Sequence, residues 1–314
     1  MANYCSVDSA IELLISGGIV ALPTETVYGL GADATNEQAV AKIFEAKNRP
    51  AFDPLIVHVP NIDAVKEIAE LDPRAESLLL AFSPGPLTVV LKKKSIIPDL
   101  VTSGHSTVAV RIPAHPVMLD ILNRSQLYIA APSANPFGYT SPTMAEHVAD
   151  QLGDKVDGIV DGGPCQVGVE STIIDLSTEQ PRVLRLGGMA LEQLELVLAG
   201  TVPVLTSSSK PNAPGMLSAH YNPGTKVVLC ESIDQIPAEL SSKTAVLGFG
   251  DMPKIHSNQY NLSPTGDYNE AARNLFKMLR TLGKSYACIY ALKLPEISLG
   301  RAVNDRLKRA SVTS

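Results

Sequence analysis

The sequence predicts an α/β protein in two parts. A mixed, twisted sheet with helices packed on it is expected over residues 1–199, and a smaller C-terminal α/β unit of Rossmann-like type over residues 225–314, joined by a linker over 200–224. Three observations predict this. Short β-rich runs recur through the first part, with helical spacings between some of them but not all, which is not the strict alternation of a doubly wound parallel sheet. Thr201 to Gly224 is rich in Pro, Ser, Thr, Gly and Asn and carries no apolar period. A chain of 314 residues with 45% hydrophobic content can bury about two cores.

The elements follow in order. Val7, Ala10, Ile11 and Leu14 have helical spacing, and Gly17-Gly18 ends that helix. Ile19 to Leu22 reads as a buried strand stopped by Pro23. Thr35-Asn36-Glu37-Gln38 has the form of a capping box opening a helix with Ala39, Val40, Ile43 and Phe44 inward. Further strands are expected at 55–59, 87–91, 107–112, 127–131, 158–160, 172–176 and 182–186, and helices at 62–71, 73–82, 115–123, 143–152 and 190–199. Past the linker, strands at 225–230, 244–249 and 286–292 alternate with helices near 268–282 and 298–311.

Composition narrows the function. Residues 1–190 hold 13 Lys and Arg against 22 Asp and Glu, a net of −9, whereas residues 191–314 hold 13 against 10, a net of +3. An acidic first part is a poor counterion for a long phosphate backbone, and 5% aromatic residues make a poor base-stacking platform. Small anions held by a few local cations remain open. Cys5, Cys165, Cys230 and Cys288 lie far apart without a C-x-x-C pair, so they read as free thiols rather than a zinc or redox site. The start of the chain has no basic segment, and its apolar stretch Ile11 to Leu22 is broken by Glu12 and Gly17-Gly18. A cytoplasmic protein with no membrane partner is expected.

The familiar phosphate-binding, dinucleotide, nucleophile-elbow and zinc-protease motifs are missing. Four polar segments instead sit at strand ends or the turns beyond them: Pro23 to Gly31; Lys47-Asn48-Arg49-Pro50 with Asp53 and His58; Thr107 to Arg111; and Pro132-Ser133-Ala134-Asn135 with Ser141. Arg111 lies among β-branched residues and needs a carboxylate or phosphate partner, which a ligand or an internal acid can supply. Lys47 and Arg49 can hold an anion or complement a helix C-terminus. His58 alone reads as a satisfied core histidine, and Ser133 to Asn135 as an Asx turn. The convergence of all four segments is the signal.

Those segments resemble the threonylcarbamoyl-AMP synthase family. The resemblance runs through Gly18 to Gly31, Lys47-x-Arg49-Pro50-x-x-Asp53-Pro54-Leu55-Ile56-Val57-His58-Val59, Ser83-Pro84-Gly85-Pro86-Leu87-Thr88, Val110-Arg111-Ile112-Pro113, Ala131 to Asn135, Gly168-Val169-Glu170-Ser171-Thr172 and Arg185-Leu186-Gly187. It continues through Pro214-Gly215-Met216 and His220-Tyr221-x-Pro223, covering nearly the whole chain in the long, two-domain form. It implies that L-threonine, bicarbonate or CO2, and ATP become threonylcarbamoyl-adenylate and pyrophosphate. A separate transferase complex then modifies tRNA, and tRNA contact here is at most transient.

By the same resemblance, Thr26, His58, Arg111, Ala131 and Ser171 should surround L-threonine. Lys47, Arg49, Asp53, Thr107, Ser133, Asn135, Ser141, Arg185 and Tyr221 should meet ATP, with Tyr221 closing over it as part of a lid. Lys47, Arg49 and Arg111 would carry catalysis, and Mg2+ is expected with ATP, without a dedicated protein cage. Asp53 departs from the family, which more often has Asn there, and a carboxylate beside a triphosphate is repelled unless a cation faces it. The competing expectation is a non-catalytic protein that binds structured RNA. A third, the same core activating carbamoyl phosphate in a hydrogenase-maturation protein, would bring Cys-rich segments that this sequence lacks.

Overall fold

In the computed structural model, residues 2–205 and 220–312 are described. The first part runs α1 (Val7–Ile15), β1 (Val20–Leu22), β2 (Gly29–Asp33), α2 (Glu37–Lys47), β3 (Ile56–His58), α3 (Ile62–Ile68), α4 (Pro73–Phe82), β4 (Leu87–Lys92), α5 (Asp99–Thr102) and β5 (Thr107–Arg111). It continues through α6 (Pro116–Ser125), β6 (Ile129–Ala130), α7 (Ala145–Leu152), β7 (Gly158–Ile159), β8 (Thr172–Asp175), β9 (Arg182–Arg185) and α8 (Leu191–Leu198). The second part comprises β10 (Lys226–Cys230), β11 (Thr244–Gly248), β12 (Gln259–Asn261), α9 (Tyr268–Ser285), β13 (Cys288–Leu292) and α10 (Gly300–Ala310).

The first nine strands form one mixed sheet in the order β7-β1-β2-β6-β3-β5-β4-β8-β9, as expected. The other four form a second sheet, β10-β13-β11-β12, in which every neighbouring pair is parallel. Each has its own apolar core. Ile43, Leu55, Val57, Leu78, Val89 and Val110 are among the residues filling the first. Leu275, Phe276, Leu279, Ile289 and Leu307 help to fill the second, which also takes in Val27, Val169 and Tyr221.

Three local expectations change. The helix α2 is capped by Asn36, whose side chain accepts from the Gln38 and Ala39 amides, while Thr35 is engaged by Asp33. Asn is as good an N-cap as Thr, and here its carboxamide oxygen reaches two orphan amides. Gly29 to Gly31, read as the end of a polar turn, opens strand β2. A Cβ at Gly31 would lie 2.9 Å from methyl groups of both Leu22 and Ile129, so a side chain there would have to displace them from the core. Finally, the stretch after α8 begins as an addition to the first sheet, with the Val183 amide donating to the Pro203 carbonyl and the Val183 carbonyl accepting from the Leu205 amide along β9. Its Pro214-Gly215-Met216 motif lies outside the described residues, and it returns at Asn222, which bonds to Gly138 and Thr140.

The two parts meet closely. Gly168 has φ +80° and passes α9 so tightly that a Cβ would stand 2.3 Å from the Arg273 Cα. This contact presses the loop preceding β8 against the second part.

Candidate active site

The register of the first sheet builds the floor of the site. His58 at the end of β3 pairs with Arg111 at the end of β5, Arg111 with Thr88 on β4, Thr88 with Ile173 on β8, and Ile173 with Arg185 on β9. Directly paired residues share a face, so these five form one row across five strands. Beside it Ile56, Val90, Ala109 and Leu184 pack with the row's own Ile173 in an apolar cluster that flanks the polar side chains.

Loops wall the row in. Arg111 Nη2 pairs with Glu25 Oε1 at 2.6 Å, Nη1 donates to Thr26 Oγ1 at 2.8 Å, and Nε donates to the Gly85 carbonyl at 3.3 Å. Arg185 Nη2 donates to Ser171 Oγ at 3.0 Å and Nε to the Ser171 carbonyl, and the Thr88 and Ser171 hydroxyls share a bond of 2.7 Å. From the linker come His220 and Tyr221. Thr26, Arg111, Ser171, Arg185, His220 and Tyr221 line a cleft with about 50 Å3 of room for solvent, far below the roughly 300 Å3 at which ligand pockets usually begin.

Burial sets the charge states. His58 is pushed down to about 3 by burial and then by the adjacent Arg111, so it is neutral at pH 7, and its Nδ1 has no partner among the described residues. Burial drives His220 down to about 3 as well. Arg185 is lowered to about 10 by burial, against the pull of Glu170. Burial alone would raise Glu170, but Arg306, Arg185 and the Ser141 hydroxyl hold it at about 2. The cleft therefore carries fixed positive charge, the Glu170 counter-charge on its wall and two neutral imidazoles. Among the described residues, no serine or cysteine lining it is paired with a base as an activated nucleophile is.

A family profile described as "Telomere recombination" matches residues 12–187, and one described as "Threonylcarbamoyl-AMP synthase, C-terminal domain" matches residues 189–312. The threonylcarbamoyl-AMP synthase of Pyrococcus abyssi is 43% identical over 320 residues, covering 96% of this chain and 93% of that protein. The chain belongs to the threonylcarbamoyl-AMP synthase family. The threonylcarbamoyl-AMP synthase of Bacillus subtilis is 38% identical, covering 98% of this chain and 94% of its own. The crystal structure of P. abyssi Sua5 complexed with L-threonine superposes with a TM-score of 0.90 at 41% identity, covering 97% of this chain and 94% of that one. Escherichia coli YciO shares the fold over 59% of this chain, with a TM-score of 0.54.

Within this synthase-family frame, the five residues expected around L-threonine, Thr26, His58, Arg111, Ala131 and Ser171, all line the cleft. Of those expected at ATP, Arg49, Ser133, Arg185 and Tyr221 line it too. Four lie just behind. Lys47 is buried and its ammonium donates to the Ser133 and Asn135 carbonyls, with burial and then Arg49 pushing it well below its ordinary value. Asp53 pairs with Arg49 at 2.9 Å, and burial raises it against Arg49, Lys47 and Arg185. Asn135 holds the Pro136 and Tyr139 carbonyls, and Ser141 donates to Glu170 at 2.6 Å. Thr107 is set apart: it opens β5, opposite Lys92, four residues or about 13 Å along the strand from Arg111.

Glu25, Glu170 and Arg306 were not singled out from the sequence as site residues. Each is a common charged residue inside an otherwise ordinary segment. Only the alternation that marked Arg111 as needing a partner pointed toward an acid such as Glu25.

Proposed function

We propose that this cleft joins L-threonine, bicarbonate or CO2, and ATP into threonylcarbamoyl-AMP, releasing pyrophosphate. The observation that carries the reading is the single sheet row holding Arg111 and Arg185. They stand three ladder spacings, or about 14 Å, apart, with the Ser171 and Thr88 hydroxyls between. One guanidinium then meets an amino-acid carboxylate and the other a phosphate. P. abyssi Sua5 complexed with L-threonine is the relative that favours this substrate.

In this reading Arg111 takes the threonine carboxylate with the N–H groups left over from Glu25 and Thr26, and Ala131 bounds the side-chain pocket. Neutral His58 presents Nδ1 to a polar hydrogen of the amino acid. The amine nitrogen bonds to the carbon of CO2 and gives up a proton, making a carbamate. A carbamate oxygen then bonds to the α-phosphorus as the bond to pyrophosphate breaks. Arg49 and Arg185 neutralise charge on the phosphates, and Lys47 fixes the Ser133 loop from behind. Positioning and preorganised charge do the work, and no side chain is modified.

Among the described residues no group of three His, Cys, Asp or Glu is placed to hold a metal ion. Mg2+ is accordingly proposed to arrive on the triphosphate as its counterion, and no step is assigned to a protein-held ion. Residues 1–199 are read as the synthase domain, 200–224 as linker and lid, and 225–314 as the C-terminal domain. His220 and Tyr221 must withdraw to admit ATP, since about 50 Å3 holds little more than water. No described helix is long and apolar enough to cross a membrane. A cytoplasmic enzyme handing its adenylate to a tRNA-modifying transferase fits this reading.

Pyrophosphate release tests it. Release should require ATP, L-threonine and bicarbonate together, and equal release without threonine would refute the assignment.

A further inference from the structure

We infer that Arg306, on the C-terminal helix α10, is a positioning residue for the nucleotide: through Glu170 it fixes the Ser141 hydroxyl, and by lying over Tyr221 it fixes the linker segment that covers the cleft. The inference rests on the functional reading above and adds to it a device supplied by the second part of the chain. The Arg306 side chain is 0% exposed. Its Nε and Nη2 donate to Glu170 Oε2 at 3.2 and 3.0 Å, and Nη1 donates to the Leu186 carbonyl just after β9. The other Glu170 oxygen, Oε1, accepts from Ser141 Oγ at 2.6 Å. The guanidinium carbon stands 5.5 Å from the centre of the Tyr221 ring, and the Phe276 ring of α9 lies 5.3 Å from the same ring, centre to centre.

A buried ion pair contributes little net stability compared with apolar packing of the same volume. Its use here is geometric. Glu170 lines the cleft, and its neighbours fix where its oxygens point. Arg306 approaches from α10, Arg185 from β9, Ser141 from the loop before α7, and His220 and Tyr221 from the linker. Without Arg306, Glu170 Oε2 loses two charge-assisted donors and burial favours protonation; the neutral carboxyl then offers Ser141 only a weaker carbonyl-type acceptor than the carboxylate does. Tyr221 loses its cationic face at the same time.

The test uses the full chain and two variants, Arg306→Gln and Arg306→Lys. Binding of ATP and of L-threonine is measured by calorimetry, and pyrophosphate release is followed across pH. Arg306→Gln should weaken ATP about tenfold while L-threonine stays within about twofold. The acidic limb of its activity profile should rise by about one pH unit or more. Arg306→Lys, which keeps the charge but loses the fork, should fall between. Equal losses for both ligands with an unmoved pH profile would make Arg306 a scaffold residue and overturn the inference, as would unchanged ATP binding. If the wild-type protein binds both ligands and Arg306→Gln matches it, the inference alone fails. If the wild-type protein binds neither, the functional reading fails and takes the inference with it.

Discussion

The two sheets of this chain make opposite uses of their polar residues. In the nine-stranded sheet buried polar side chains stand on the strands themselves, the neutral His58 and the cations Arg111 and Arg185 along one row, lining a cleft. In the four-stranded sheet the strands are bounded by apolar residues such as Ala245, Leu247, Ile289 and Ala291, and the buried Arg280, Arg306 and Arg309 sit on helices α9 and α10. Two of those helical cations reach across. Arg306 pairs with Glu170, and Arg280 donates to the Thr140 carbonyl at 2.8 Å. A parallel sheet often binds ligands at its strand ends, but here the second sheet carries helices that close another sheet's site. Sharing a fold class therefore does not imply sharing a role.

The sharpest way to break this comparison is at the row. Arg111→Ala should cost L-threonine about 2–5 kcal/mol of affinity, since the ligand loses its charged partner in a sheltered site and Glu25 is left unpaired. ATP affinity should move far less in the same titration. An unchanged threonine affinity would show that Arg111 serves Glu25 alone.

On the other wall, Tyr221→Ala removes a buried ring that contacts both Phe276 and Arg306 and should destabilise the protein by about 3 kcal/mol in denaturant unfolding. It should also raise the share of ATP consumed without stable adenylate, because water enters the cleft. Tyr221→Phe keeps the ring and should recover most of both. Recovery of neither would mean that the hydroxyl, and not the ring, matters here.

Acid should reveal the neutral imidazoles. His58 and His220 are held at about 3 against an ordinary 6.5, so the unfolded chain takes up protons first as pH falls. Stability is therefore complete above pH 6.5 and declines as pH drops toward 3, by at most about 1.4 kcal/mol per pH unit for each ring. His220→Gln should flatten the melting-temperature profile over that window by one ring's share. An identical slope would place the His220 ring in water.

The smallest effect is expected at Asp53. Asp53→Asn keeps a carboxamide oxygen for Arg49 and removes a carboxylate from the nucleotide's surroundings, so ATP should bind slightly tighter, by less than about 1 kcal/mol. Weaker binding would give the carboxylate a direct role.

Much of the fold was legible because apolar periodicity and caps are local. The helix Pro73–Phe82 and the strands around Val89 and Val110 stand where their patterns placed them. Strand β2 was hidden because glycines at 29 and 31 serve close sheet packing, not turning. Arg111 was legible as a buried charge in need of a partner, but Glu25 as that partner was not, since the pairing joins residues 86 apart in sequence. The same holds more strongly for Arg306 and Glu170, separated by 136 residues and by the boundary between the two sheets.

The most direct measurement is mass spectrometry of the product formed from ATP, L-threonine and 13C-labelled bicarbonate. A cleft that carbamoylates threonine before adenylation should yield an adenylate containing threonine and one labelled carbon, with pyrophosphate released alongside it. An unlabelled threonyl-adenylate, or AMP with no threonine adduct under conditions that protect the adenylate from water, would contradict that account.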